Sequence, residues 1–488
     1  MFLRLLQLIP ALFFLTALQA AAMPPAVEQE LARQGLPATA LSYRIEALAG
    51  RPALALGERR PLNPASTMKL VTTLAALDLL GPAHRWTTAM LSDATLENGE
   101  LKGDLYLLGG GEPNLTWERL GGMLRSLRNS GIVSIAGDLV LDRTLFQPTR
   151  LDIGAPPFDD APDASYNVIP DALSLSDYLV SYTLSSDAST VAVQTTPPLS
   201  GVAVLNRMTL NDLPCQDWRE AWQQPSVEED AGGAVRIVLN GSFPHACSKA
   251  VELHTLERDL YIERLVRALW EEMGGRWRGR AREGKVPARA SVLVARQFET
   301  LAQTVRDVNK DSHAVKARML YLMLGATADT DVRQPTLERA RRRVLDWIAA
   351  QGVDPAGIVI ENGAGLSRIE RLSSAQLSGL LKSAAASRWY PEFSASLPIV
   401  ALDGTMKNRL KLGPAAGNAR LKTGTLRDVA ALAGYVRDRR GQEWIVTAFV
   451  NDPQADEGRG RAVLDQLILW VAEGQAAAAD IPTIHPPS

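Results

Sequence analysis

Two helix-patterned stretches separated by a long strand-patterned block constrain this chain more than any other feature. The first, "NPASTMKLVTTLAALDLLG" (Asn63 to Gly81), runs from small, helix-starting residues into a continuous apolar helix pattern. From about Trp86 to Ala290 the texture becomes short alternating runs with turn residues between them, among them "LKGDLYLLGGGEP", "GIVSIAGDLVLD", "STVAVQTTP" and "GAVRIVLNGSF". Helical periodicity then returns in "TLAQTVRDVNKDSHAVKARMLYLMLG", "TLERARRRVLDWIAAQG" and "SSAQLSGLLKSAAAS". The chain closes with "ARLKTGT", "VAALAGYVRD" and "QEWIVTAFVND", which alternate like strands around an Asp438 to Gly441 turn, and a last helix carrying Val463, Leu464, Leu467, Ile468 and Val471. A helix at Ala26 to Arg33 and a hairpin across "ALSYRIEALAGRPALALG" precede the first stretch. At 488 residues the chain exceeds one core, and about 150 residues per domain implies about three domains. The pattern predicts a discontinuous α/β domain interrupted by a β-rich insertion.

The formal net charge of -2 offers no electrostatic case for nucleic acid. The basic patch "RWRGRAREGK", Arg276 to Lys285, reads as the solvated face of a strand and turn in the insertion. The opening "MFLRLLQLIPALFFLTALQAAAMPPA" has one early basic residue, an apolar run and a small-residue end, the layout of a secretory signal peptide over residues 1–22. The mature chain then starts near Ala21 or Met23 and carries no stable membrane anchor, because no later run approaches the ~20 apolar residues a span needs. Residues 476–488 read as a disordered, Pro-rich tail. The two cysteines, Cys215 and Cys247, read first as a disulfide in an exported protein and second as two buried thiols. Neither has metal-ligand spacing to the five histidines, so no metal site is expected.

Ser66 and Lys69 lie three apart, on one helix face about one turn from each other. A serine hydroxyl needs a base to become a nucleophile, and a lysine serves only if burial or a second cation lowers its pKa far below about 10.4. Such a lysine near a helix start also opposes the macrodipole, where an acidic residue would stabilise. Its placement against local preference marks it as functional. The second group is Lys422, Thr423, Gly424 and Thr425 on a strand. A lysine and two hydroxyls suit a carboxylate, and a glycine inside a strand marks close approach of another backbone or ligand. A Ser-His-Asp triad through His84 or His313 is a second route to the same chemistry.

An S-x-x-K followed much later by K-T-G is the motif pair of β-lactamases and penicillin-binding proteins. The chain resembles the class C low-molecular-mass penicillin-binding proteins, the D-alanyl-D-alanine carboxypeptidase/endopeptidase family. The resemblance rests on "NPASTMKLVTTLAAL", "GDLYLLGGGEPNL", "GDLVLDRTLF", "SYNVIPDALSLSD", "VNKDSHAVKARMLYLMLG", "ENGAGLSR" and "RLKTGTLRDVAALAGYV", in family order. It implies a β-lactamase/transpeptidase-like domain with a central antiparallel sheet and helices, built from residues 23–85 and 291–475. The insertion is implied to be two domains, one from 86–165 and 254–290, the other nested at 166–253. The implied function is a periplasmic serine DD-peptidase that acts on peptidoglycan stem peptides, is acylated by β-lactams, and uses no metal or organic cofactor. Ser66 would be the nucleophile, Lys69 its base and Ser312 a proton relay; Lys422 and Thr423 would hold the substrate carboxylate, and the N–H groups of Ser66 and Thr425 the oxyanion. Arg368 in "GAGLSR" sits where the family has a substrate-side arginine.

The resemblance breaks at the middle motif. Where the family has asparagine third, this chain has Ser312-His313-Ala314. Alanine can neither donate to a substrate carbonyl nor orient Lys69. Two further readings follow: a peptidoglycan-bound homologue impaired in turnover, and a β-lactamase or esterase of the same superfamily.

Overall fold

The computed structural model describes residues 23–48, 50, 52–230, 233–328, 333–456 and 458–479. The expected signal peptide and residues 480–488 of the expected tail lie outside these residues; residues 476–479, expected to be disordered, belong instead to a short helix, Gln475–Ala479, with Ala476 buried. Helix α1 (Pro25–Gln34) is followed by a hairpin of strands Leu41–Ala47 and Pro52–Leu56, then by a single 3-10 turn (Ala65–Thr67) that leads directly into α2 (Met68–Leu80). The hairpin joins the three C-terminal strands, Ala419–Leu426, Val429–Arg437 and Glu443–Asn451, in one five-stranded antiparallel sheet. The hairpin and the Ala419–Leu426 strand form its two edges. Chain segments some 400 positions apart thus share one sheet, as Leu41 pairs with Val450 and Ala47 with Trp444.

Period-two alternation in these strands feeds two cores rather than one core and solvent. Along Val429–Arg437, Ala430, Leu432 and Val436 face α1 and the last helix, with Val27, Leu31, Val463 and Leu467. Ala431, Ala433 and Tyr435 face α2 and its neighbours, with Val71, Leu320 and Leu377. A sheet covered on both faces explains why this strand reads as nearly unbroken apolar sequence.

Between α2 and the C-terminal part lies the insertion. Strands Thr88–Ser92, Leu105–Leu108, Leu139–Asp142, Ala281–Glu283 and Ser291–Arg296 form a second five-stranded sheet. Its pairing of Ser291–Arg296 with Thr88–Ser92 carries this sheet past residue 290, where the sequence pattern ended the insertion. The segment 180–253 folds into two three-stranded sheets and one two-stranded pair. Cys215 and Cys247 are joined by a disulfide there. The block is not wholly β: α3 (Trp117–Asn129) and α4 (Arg258–Glu272) pack together in its core. The buried face of α4, with Tyr261, Ile262, Leu265, Val266 and Leu269, recurs at helical spacing that the strand-like texture around it concealed. Of the basic patch, Trp277 is buried and Arg282 pairs with Asp104 and Asp138, both on the insertion's own surface.

Helices α5 (Leu301–Lys310), α6 (Ala314–Ala326), α7 (Thr336–Ala350), α8 (Ser374–Ala386) and α9 (Tyr390–Ser396) pack on the α2 side, and α10 (Arg459–Ala472) on the other. The apparently continuous helix pattern around Ser312 is broken in two. Asp311 ends α5, Ser312 takes a positive φ of 59°, and His313 caps α6 by accepting from the N–H of Lys316. No helix among the described residues is long and apolar enough to cross a membrane.

Candidate active site

Ser66 stands in the Ala65–Thr67 turn that opens α2, where the first N–H groups of a helix have no intrahelical partner. Ala65 is held at φ 44°, a left-handed conformation that a non-glycine residue adopts at a cost. Asn63 supports it: its side-chain oxygen accepts the Ala65 N–H at 2.9 Å, and its amide donates to the Ser367 carbonyl at 2.8 Å. Asn451, from the central sheet, takes the Asn63 N–H at 2.8 Å and donates back to the Asn63 carbonyl at 3.1 Å. Two glycines let other backbones close around the serine. A Cβ on Gly365 would lie 1.9 Å from the Ala65 carbonyl oxygen, and one on Gly424 would lie 2.9 Å from both the Pro64 carbonyl oxygen and the Ser66 nitrogen. Close approach at Gly424 is what a glycine inside that strand indicated.

The Lys69 amine donates to the Ser66 hydroxyl at 3.0 Å and to the Ala364 carbonyl. Lys69 is 1% exposed, and it forms no ion pair among the described residues. Burial, with the nearby Arg318 guanidinium adding to it and the Glu370 carboxylate opposing it, brings its pKa down to about 7. A large part of the Lys69 population is therefore neutral near neutrality and can accept the Ser66 proton.

Lys422 is also fully buried, and its amine donates to the Ser312 hydroxyl and to the Thr423 carbonyl, each at 2.8 Å. Burial first, and Lys69 second, hold its pKa well below the ordinary lysine range. Ser312 thus joins the Lys422 end of the site across the break between α5 and α6. The Thr423 hydroxyl donates to that of Thr405 at 2.9 Å. Leu421 donates its N–H outward to the Pro398 carbonyl at 2.9 Å, so the N–H groups of Thr423 and Thr425, two and four residues on, face the same open edge. The Thr425 side chain is exposed there.

His313 does not turn toward Ser66. Its Nδ1 caps α6 and its Nε2 lies 3.6 Å from Asp177 of the insertion. Burial, together with the Lys316 ammonium, pushes its imidazole down to about 4, so it is neutral there at pH 7. His84 instead sets its ring edge-on to Trp86. Neither completes a triad with Ser66. Ala314 is buried as the first residue of α6 and supplies no polar atom.

Arg368 is not bonded to the Ser66 group. It donates to the Arg427 carbonyl at 3.2 Å, two residues beyond Thr425, and lies over the Phe158 ring at 4.9 Å. With Phe158, Leu366, Ile369 and Leu151 it lines a cavity of about 630 Å³ between the insertion and the 362–369 loop. A polar cavity of about 670 Å³ opens on the other side, walled by His313, Lys316, Asp177, Arg119 and Glu299. Sequence reasoning assigned no role to Asn63, Asn451, Ala364, Thr405 or Arg318. Asn63 opens the first quoted motif and Ala364 lies in "ENGAGLSR", so both were in view without a partner to define them.

A hydroxyl at a helix start, 3.0 Å from a buried amine and beside outward amides on a sheet edge, groups the parts that a serine hydrolase using lysine in place of histidine requires. Residues 26–474 match the D-Ala-D-Ala carboxypeptidase 3 (S13) family, and the chain belongs to it. It is 30% identical over 434 residues to the D-alanyl-D-alanine carboxypeptidase of Actinomadura sp. (strain R39), covering 84% of this chain and 77% of that protein. Its fold is similar to that of penicillin binding protein 4 (dacB) from Haemophilus influenzae, with a TM-score of 0.75 at 20% identity, over 93% of this chain and 100% of that one. The Haemophilus protein is also known in complex with a β-lactam, at a TM-score of 0.70 and 21% identity. The chain is a serine-type carboxypeptidase by this membership.

Proposed function

We propose that Ser66 is acylated by D-alanyl-D-alanine peptide ends of peptidoglycan, and by β-lactams that imitate them, with Lys69 as the base. The observation that carries this is the 3.0 Å contact between the Ser66 hydroxyl and an amine brought down to about 7. Lys69 takes the hydroxyl proton as Oγ attacks the carbonyl carbon of the scissile bond. The N–H groups of Ser66 and Thr425 receive the oxyanion. Ser312, hydrogen-bonded to Lys422, passes a proton to the leaving D-alanine amine, and water then hydrolyses the acyl ester. Lys422 and Thr423 hold the terminal carboxylate, and that anion supplies a counter-charge to the buried Lys422. Arg368, over Phe158 at the rim of the cavity of about 630 Å³, is the substrate-side arginine of this reading and would meet an acidic group of the stem peptide.

The disulfide fits an oxidising compartment, and with the N-terminal signal pattern it supports export to the periplasm. The mature protein incubated with a labelled penicillin is expected to carry one covalent label, and Ser66→Ala none. Equal labelling of the two proteins would sink the mechanism.

Ala314 favours a second reading, in which acylation persists and turnover is slow. Neither neighbouring candidate replaces the missing amide, since His313 faces Asp177 and the Asn114 side chain is engaged with Lys316 and Thr304. One hydrogen bond to a substrate carbonyl contributes about 10-fold or more in rate, from the roughly 1–3 kcal/mol cost of leaving a buried polar group unmet. Ala314→Asn is therefore expected to raise D-alanine release from a D-alanyl-D-alanine peptide by about that factor. Release unchanged in a folded Ala314→Asn protein would show that turnover is not limited at this position.

A further inference from the structure

We infer that Glu370 is a positioning residue for Lys69: its carboxylate gathers the backbone of residues 361–363 and so presents the Ala364 carbonyl to the lysine amine. The inference rests on the Ser66–Lys69 reading above and adds to it the residue that sets the base. Glu370 is fully buried, and a single oxygen, Oε1, accepts the N–H groups of Glu361, Asn362 and Gly363 at 3.1 Å each. Its other oxygen, Oε2, is buried without a hydrogen-bond partner among the described residues.

The turn so gathered contacts α2 twice. The Gly363 carbonyl accepts the Thr72 hydroxyl at 2.6 Å, and the Ala364 carbonyl accepts from Lys69 one helical turn earlier. The loop is also closed on itself, as Asn362 accepts the Ala364 N–H at 2.9 Å and the Glu370 N–H reaches the Ser367 hydroxyl at 3.1 Å. The Ser367 carbonyl in turn takes the Asn63 amide that steadies Ser66. One buried carboxylate therefore sits at the centre of the segment that touches both the nucleophile's backbone and the base. With alanine at 314, this carbonyl is the second acceptor that fixes where the Lys69 amine points.

A buried charged carboxylate costs more free energy than a neutral amide, whose own NH2 would be left unmet where Oε2 now lies. The charged groups facing Lys69 give that carboxylate a second effect. Arg318 approaches from α6, Lys422 from the strand edge, and His313 from the α6 cap as a neutral ring. Burial raises the pKa of Glu370 itself, against the three N–H groups that favour its ionised form, and in that form it alone among these groups favours the ammonium form of Lys69. Removing its charge leaves the Arg318 guanidinium unopposed and moves the loss of the Lys69 proton to lower pH.

The test is the rate of Ser66 acylation by a labelled penicillin, measured from pH 5 to pH 10 in Glu370→Gln and Glu370→Ala, with thermal melts to establish that each is folded. Glutamine keeps an acceptor oxygen and drops the charge. Its acid limb is expected at lower pH than that of the wild type, with a plateau rate within about threefold, because the geometry of the base is kept. Alanine releases the turn, and its plateau is expected to fall about 100-fold, the cost of a reacting group displaced by about 1 Å. A folded Glu370→Ala that acylates at the wild-type rate, or a Glu370→Gln whose acid limb stays in place, overturns the inference. A role in folding alone would change the melts and leave the limb where it is. No label on the wild-type protein would instead remove the Ser66 reading, and this inference with it.

Discussion

Lys69→Met is expected to lower the rate of Ser66 acylation by roughly 10⁴-fold, the upper end of what a positioned base contributes, while making the protein more stable at pH 7. The two effects have one origin. A lysine whose folded-state pKa is depressed to about 7 from 10.5 binds fewer protons folded than unfolded, so stability rises with pH between about 7 and 10.5. Below that window the buried ammonium costs about 1.4 kcal/mol for each unit of depression. Methionine fills a similar volume without that cost. Its melting temperature should therefore exceed the wild type's most at or below pH 7, with the margin shrinking toward pH 10.5. In the wild type, acylation should climb through a limb centred near pH 7 as Lys69 becomes neutral. Stopped-flow acylation and thermal melts across this pH range check both arms, and a Lys69→Met protein that acylates at the wild-type rate would rule the lysine out as base.

Gly424→Ala is expected to lower acylation by about 100-fold, although the substitution adds a single methyl group. That methyl would sit 2.9 Å from the Pro64 carbonyl oxygen and from the Ser66 nitrogen, and 3.0 Å from the Ala65 Cβ. These are backbone and near-backbone atoms that cannot rotate away, so the strand edge and the nucleophile turn must separate. The separation moves the Thr425 N–H relative to the Ser66 N–H, the two donors proposed for the oxyanion. Overpacking of this kind costs about 1–3 kcal/mol, so the variant should still fold. Acylation at an unchanged rate in a folded Gly424→Ala protein would show that the reaction does not depend on the close approach of these two backbones.

Much of the site could be read directly from short-range pattern. Ser66 and Lys69 share a helix face at a spacing of three, and a lysine in an apolar first turn is an anomaly that asks for a chemical reason. Gly424 signalled a close approach, although not to what. The turn at Asp438 to Gly441 and the N-terminal hairpin were also legible, because alternation and turn residues are local. The break at Ser312 was not. Apolar residues on both sides keep helical spacing, while a positive φ at Ser312 and an extended His313 separate α5 from α6. Helix α4 was lost for the opposite reason, since its periodicity sits among short strands that dominate any window around it.

The sequence by itself determined the chemical groups, their order, and the two helix-patterned stretches that had to share a domain across the insertion. Only the tertiary structure decided their protonation and partners. The Lys69 pKa falls because folding removes it from water, and Arg318, Glu370 and the Ala364 carbonyl reach it from segments far away in the chain. His313 does not replace the missing asparagine because the helix it caps turns it toward Asp177. Burial and long-range approach are properties of the folded packing, and no spacing along the chain encodes them.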